Sequence, residues 1–185
     1  MGALARTFGS LGERNYRLYF TGQVVSVSGT WMQLIAQAWL ILHLGGSGFD
    51  LGVVTGLRFL PILLLGSWGG LLADRMDKRS LLIATQAAAG LLAAALAALT
   101  LGGAITLWLV YLLALLLGLV QVVDNPTRQS FASELVGPSR VSNAVGLNSA
   151  VFTGARVFGP ALAGILITVV GTGWCFGINA ASYVR

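Results

Sequence analysis

Long apolar blocks alternate with short polar connections along the whole chain. The first block runs from about Phe20 to Leu44 and ends in the turn "GGSGFD" (45–50). A second reaches about Ala73, and the charged hairpin "DRMDKR" (74–79) separates it from an alanine-rich third block over about Leu81–Leu101. A fourth spans about Ile105–Val123, and a fifth about Val141–Val170. After "GTG" a sixth begins at Trp174. A membrane-crossing helix needs roughly 17–25 mostly apolar residues, and the first five blocks meet that. A β-barrel would instead show alternating segments of about ten residues. The pattern predicts an all-α integral membrane protein. Its sixth helix, stopping at Arg185, falls short of the ~20 residues a span needs, so the chain is expected to be truncated there.

Composition agrees: 56% of residues are hydrophobic and 9% charged, against about a quarter charged in soluble domains. The net charge of +5 would suggest nucleic acid in a soluble protein. Here its placement matters more, and no nucleic-acid partner is expected. With the N-terminus inside, Arg6, Arg14, Arg17, Arg75, Lys78, Arg79, Arg128 and Arg140 all fall on the cytoplasmic side and none opposite. This predicts a multi-pass protein of the inner (cytoplasmic) membrane, with residues 1–19 as a cytoplasmic segment and the lipid bilayer as partner. No signal peptide is read in the N-terminus. Cys175 is the single cysteine, so no disulfide or cysteine-based metal framework is expected, and no cofactor. The chain has no nucleotide-binding Gly-xxxx-Gly-Lys-Ser/Thr loop and no nucleophile–base constellation, which argues against an enzyme.

The polar connection at 124–140 reads as a short helix over about 126–136, with Asn125 as N-cap and Pro126 as first helical residue. Phe131 and Leu135 share one side, which fits an amphipathic helix on the membrane surface. A solvated loop is the competing reading.

Polar positions inside the blocks carry the candidate chemistry. Gln23, Ser26, Thr30, Gln33 and Gln37 recur at spacings of three and four, on one face of the first helix. Such a face lines either a water-filled path or a hydrogen-bonded helix seam. The path is preferred, because five polar positions exceed what a seam usually needs. The second block carries Gly52, Gly56, Phe59, Leu63, Gly66 and Gly70, a stripe suited to close helix packing. Tyr111, Gly118 and Asn125 recur every seven residues on the fourth, a weaker signal.

Two phrases stand out: "TGLRFLP" (55–61) in the second block and "TGARVFGP" (153–160) in the fifth. Arg58 lies roughly 12 Å along its helix and Arg156 roughly 20 Å along its own, near the middle of a ~30 Å core. An arginine facing lipid there costs at least about 2.5–3.5 kcal/mol, so both are expected to turn inward. Arg156 shares its face with Ser142, Gly146, Ser149, Thr153 and Pro160. The acids Glu13, Asp50, Asp74, Asp77, Asp124 and Glu134 all lie near a surface, and none is placed to neutralise the two arginines. A substrate path that binds anions or repels cations is preferred over contacts with backbone carbonyls. The repetition fits two inverted three-helix repeats, 20–101 and 102–185, in which the second helix corresponds to the fifth.

"GLLADRMDKR" (70–79) resembles the Gly-xxx-Asp-Arg-x-Gly-Arg-Arg motif of the major facilitator superfamily, matching at Gly70, Asp74, Arg75, Lys78 and Arg79. Asp77 replaces a glycine, a substitution that still tolerates a left-handed backbone. "ARVFGPALAG" (155–164) is similar to the helix-five Gly-xxx-Gly-Pro-xx-Gly-Gly motif of exporters, through Gly159, Pro160 and Gly164. Further phrases, among them "RNYRLYFTGQ" and "DNPTRQSFASELV", look like the enterobactin-exporter-like and macrolide-efflux-like branch. The resemblance covers nearly the whole chain but only the N-terminal half of a twelve-helix member. It implies alternating access and a missing C-terminal six-helix half as partner. In it Asp74 faces that half, and Lys78 pairs with an acid at the end of helix four, matched here by Asp124. The Arg-xxx-Gly element of proton-coupled exporters is altered, with Ala114 four residues before Gly118.

The reading is a secondary active transporter, an efflux protein for small molecules such as drugs or siderophores, proton-coupled and independent of ATP. Its substrate-path candidates are Gln33, Gln37, Arg58 and Arg156. The competing reading is a non-transporting membrane module, or an inactive fragment that oligomerises.

Overall fold

The computed structural model describes residues 14–136 and 141–183. Six α-helices make up these residues: α1 (Arg14–His43), α2 (Gly48–Arg75), α3 (Lys78–Leu101), α4 (Leu107–Val136), α5 (Val141–Val170) and α6 (Thr172–Ser182). The first five are long and apolar enough to cross a membrane. Arg6 and Arg140, counted in the charge asymmetry, lie outside the described residues.

Local chemistry sets the boundaries. Ser47 caps α2: its backbone N–H and its hydroxyl both donate to Asp50 Oδ2, at 2.6 and 2.8 Å, a pairing that satisfies the first helical turn. Gly45 at φ 81° and Gly171 at φ 87° make the reversals before α2 and α6, a conformation glycine adopts without steric cost. Asp77 has φ −61° and caps α3, its Oδ2 accepting from the Ser80 N–H at 2.8 Å. The aspartate in the glycine position of the hairpin motif therefore acts as an N-cap, and the left-handed backbone anticipated there is not used. Exposed Asp77 is held below the ordinary carboxylate value by hydrogen bonds from Ser80, side chain first and backbone second.

The fourth helix differs from the sequence reading. Span and surface helix are one continuous element from Leu107 to Val136, with Pro126 inside it. Pro126 has no N–H for the carbonyl four residues back, that of Val122. Gly69 of α2 packs against this same Val122 carbonyl, so closely that a Cβ there would overlap it. The proline thus leaves a free acceptor where a neighbouring helix comes nearest, and of the polar "DNPTR" stretch Asp124 and Thr127 are buried, Pro126 and Arg128 half-buried and Asn125 exposed.

Helix pairing follows a rule: α2 packs on α4 as α5 packs on α1, α3 contacts α4 as α6 contacts α1, and α3 packs against α6. Exchanging helices 1–3 for 4–6 leaves the pattern unchanged. The pairs meet at glycines. A Cβ at Gly118 would run into the Arg58 backbone, and one at Gly159 into the Trp31 Cβ. Small residues let transmembrane backbones approach this way. Near the α1–α2 turn, Met32, Leu40, Ile41, Leu96, Val110 and Phe176 form the larger apolar cluster. At the end carrying the α2–α3 hairpin, Tyr16, Val136, Ala144 and Leu147 form a smaller one. There the buried Tyr16 hydroxyl donates to the Ala144 carbonyl at 3.2 Å.

Two helices are poorly covered. Only 17% of the apolar stretch of α2 and 22% of that of α5 is buried, against 50% for α1. Gly52, Gly56, Gly66 and Gly70 have open space where a side chain would stand. The predicted glycine stripe therefore faces away from these helices, and Gly69 makes the close contact instead.

Candidate functional site

Polar side chains meet between the helices in several places, of which two adjoin. Towards the hairpin end, α1, α3 and α4 share a buried network around one ion pair. Arg128 donates to Asp124 Oδ2 from Nη2 at 2.6 Å and from Nε at 3.0 Å. The other carboxylate oxygen accepts from the Thr85 hydroxyl at 2.8 Å and the Gln86 amide at 2.9 Å. Arg128 Nη1 donates to Gln23 Oε1 at 2.5 Å, and Gln23 Nε2 bonds the Tyr19 hydroxyl at 2.6 Å. The Tyr19 hydroxyl in turn donates to the Arg128 carbonyl at 3.2 Å. The Asp124 and Arg128 side chains are 9% and 14% exposed. Charge and hydrogen-bonding capacity are matched within the cluster.

The second region is a cavity of about 190 Å³ at mid-depth between α1, α2 and α4. Its wall includes Ser26, Thr30, Trp31, Arg58, Gln121, Asp124, Asn125, Arg128 and Tyr183. Half-buried Arg58 donates from Nε to Gln121 Oε1 at 3.4 Å, a long bond to a neutral amide. Exposed Arg156 of α5 places its guanidinium carbon 5.2 Å from the centre of the Trp31 ring, within cation–π range. Arg58 thus lines the cavity, while Arg156 does not line it and contacts only Trp31, one of its wall residues. A larger groove of about 900 Å³, mostly apolar, lies beside it between α1, α3 and the end of α6.

The other sequence candidates divide. Gln33 and Gln37 are buried at 5% exposure, and neither lines the cavity. Gln33 accepts from Asn179 Nδ2 of α6 at 2.5 Å, so at this position the polar stripe of α1 works as a helix seam. Gln23, Ser26 and Thr30 of that stripe do reach the polar regions. Thr30 and Tyr183 link α1 to the end of α6, hydroxyl to hydroxyl at 3.1 Å.

In the hairpin motif, Asp74, Arg75 and Arg79 are exposed and Gly70 stands on the open side of α2. Lys78 pairs with Glu134 at 2.6 Å, not with Asp124. Asp124 is turned inward and held by Arg128, and the unbroken α4 carries Glu134 out to the hairpin. In the helix-five motif, Gly159 is buried on Trp31 and Ser28, Pro160 is half-buried, and Gly164 faces open space. Ser142, Gly146, Ser149 and Thr153 share the exposure of Arg156, so the face read as inward is uncovered.

Sequence reasoning missed Arg128, Gln121 and Trp31. The Asp124–Arg128 spacing of four, which places opposite charges together on a helix, was the available signal. The break assumed at Asn125–Pro126 hid it.

Comparison with known proteins adds the decisive observation. The family model described as transmembrane secretion effector, of the MFS series, matches residues 5–185. The chain belongs to the major facilitator superfamily. It is 31% identical over 168 residues to the staphyloferrin A transporter of Staphylococcus aureus, covering 90% of this chain and 42% of that protein. It is 27% identical over 162 residues to an MFS-type transporter of Bacillus subtilis, YfiS, covering 87% and 38%. Against the multidrug efflux pump Tap of Mycolicibacterium fortuitum it is 27% identical over 172 residues, covering 85% and 42%. The chain therefore spans about two fifths of the length of these curated relatives. The family is one of transporters and not of enzymes. No solved structure matches the chain significantly. Its five long apolar helices make it a multi-pass membrane protein of this superfamily.

Proposed function

We propose that this chain is the N-terminal six-helix half of a secondary transporter that exports small molecules by alternating access. The observation that carries the reading is a mid-helix cavity whose largely apolar wall carries Arg58 and Gln121, in a superfamily member whose α2 and α5 are left largely uncovered. A second six-helix half laid on those faces would close the cavity from the other side. The bundle could then open alternately to either surface around a fixed site. The exchange-symmetric helix pairing supports two inverted repeats, with Arg58 and Arg156 at equivalent places in them. The names of the relatives, a siderophore transporter and a multidrug efflux pump, support siderophores or drugs as cargo. The concentration of Arg75, Lys78, Arg79 and Arg128 towards one end supports a cytoplasmic N-terminus in the inner membrane.

In this reading protons supply the driving force, and the hairpin motif with exposed Asp74 latches the cytoplasmic side against the second half. The test uses the full-length protein that carries this chain, in inside-out vesicles. An acid-interior gradient is expected to drive accumulation of a transported dye, a protonophore to abolish it, and Asp74→Lys to reduce it several-fold with insertion intact. Accumulation indifferent to the gradient would remove proton coupling. Undiminished transport by Asp74→Lys would remove the latch.

A further inference from the structure

The mid-depth cavity has a sign. Among the described residues its wall carries Arg58, Arg128 and a single acid, Asp124. That acid is already committed: Arg128 takes one carboxylate oxygen, and Thr85 with Gln86 takes the other. Arg58 has only the Gln121 amide, and Arg156 has only the face of Trp31. The ion pairs among the described residues are Lys78–Glu134 and Arg128–Asp124, so neither of these two arginines has a carboxylate partner. One guanidinium without a counter-charge, that of Arg58, lines the cavity, and a second, that of Arg156, lies over a wall residue, Trp31.

An unpaired charge at this depth is costly, and intramembrane arginines ordinarily pair or face a watery path. A guanidinium presents a planar fork that matches a carboxylate edge to edge. Gln121 holds Arg58 at Nε, which orients the group and leaves its terminal nitrogens without an acid. We infer that the cavity wall carrying Arg58 and Trp31, with Arg156 over the Trp31 ring, is a subsite for an organic anion bearing a carboxylate or similar planar anionic group. The inference rests on the transporter reading and adds the charge class of the cargo. A cationic drug would meet the like charge of Arg58 in the cavity and that of Arg156 beside Trp31, and Asp124 is not available to offset them.

The test uses the purified full-length protein in detergent micelles and two planar dyes of opposite charge, carboxyfluorescein and ethidium, with binding read by fluorescence anisotropy. Carboxyfluorescein is expected to bind at least tenfold more tightly than ethidium. Arg58→Gln and Arg156→Gln are each expected to weaken it by roughly tenfold, the scale of losing one charge-assisted hydrogen bond. Arg58→Lys, which keeps the charge and loses the fork, is expected to fall between. Arg156→Gln, at an exposed position, still carries the test if Arg58→Gln does not fold. Unchanged carboxyfluorescein binding in both Gln variants, or equal binding of ethidium, overturns the subsite. Gradient-driven ethidium transport without carboxyfluorescein binding overturns the subsite and leaves the transporter reading standing. Neither dye bound nor moved overturns both.

Discussion

Arg128 and Arg58 border one cavity, yet they are held in opposite ways. Arg128 has a carboxylate and an amide on its guanidinium, and the cluster around it closes on itself through Tyr19, Gln23, Thr85 and Gln86. Arg58 has one long bond to an amide, and its counterpart Arg156 leans on an indole ring. In a low-dielectric interior a fully paired network ties helices together, whereas an unpaired charge is retained only at a cost. The contrast separates a fastening from a site. The network joins α1, α3 and α4, and the two other arginines stand where something outside these helices can meet them.

The largest test of that contrast removes one partner from the network. Arg128→Ala strands a buried carboxylate and is expected to cost about 3–5 kcal/mol of stability, measured as the unfolding midpoint in detergent. Replacing the pair together, Arg128→Met with Asp124→Leu, is expected to recover most of the loss, because no unpaired charge remains. A mild effect of the single variant would mean that water already reaches Asp124, and the two regions would then differ little.

A smaller effect is expected where α4 meets Arg58. Gly118→Ala would press a methyl group onto the Arg58 backbone, with an expected cost of about 1–3 kcal/mol. Gly66→Ala, on the same helix as Arg58 but facing open space in this bundle, is expected to leave the stability of these six helices unchanged or to raise it by up to about 1 kcal/mol. The same pair of variants in a transport assay separates the seam from the open face. If Gly66→Ala lowers transport while leaving stability intact, the uncovered face of α2 is a moving surface.

Much of this was readable in advance, and the reasons are physical. Helix number and class follow from block length, since the bilayer admits few alternatives to an apolar run of that size. Arg58 and Arg156 were visible because charge is rare in such runs. The depth and direction of a polar residue within the bundle were less readable. Gln33 and Ser26 lie on one stripe of α1, yet one faces α6 and the other the cavity, because α1 is surrounded by neighbours along its length. Of the weak heptad of Tyr111, Gly118 and Asn125, the first two mark the seam with α2, and Asn125 is exposed at the cavity. Tyr111 bonds Asp50, and Gly118 meets the Arg58 backbone. Asp124 and Arg128 were misplaced because a proline ordinarily ends a helix. Here tertiary packing carries α4 through Pro126, and Gly69 covers the carbonyl that the proline leaves free.

The smallest expected effect concerns Arg156. Its only described contact is the Trp31 face, and a cation–π contact at an exposed position is worth about 0.5–1 kcal/mol. Arg156→Ala should therefore lower stability by less than about 1 kcal/mol, far below the loss at Arg128. Trp31→Leu keeps the Cβ against which Gly159 packs and removes the ring, so a double-mutant cycle with Arg156→Ala isolates the ring contact. A coupling energy above about 2 kcal/mol would exceed an exposed contact of this kind. Arg156 would then be an anchor fastening α5 to α1, as Arg128 fastens α4 to its neighbours. A coupling below about 1 kcal/mol keeps the two arginines in different classes. The charge of Arg156 would then be retained for something other than the stability of these helices.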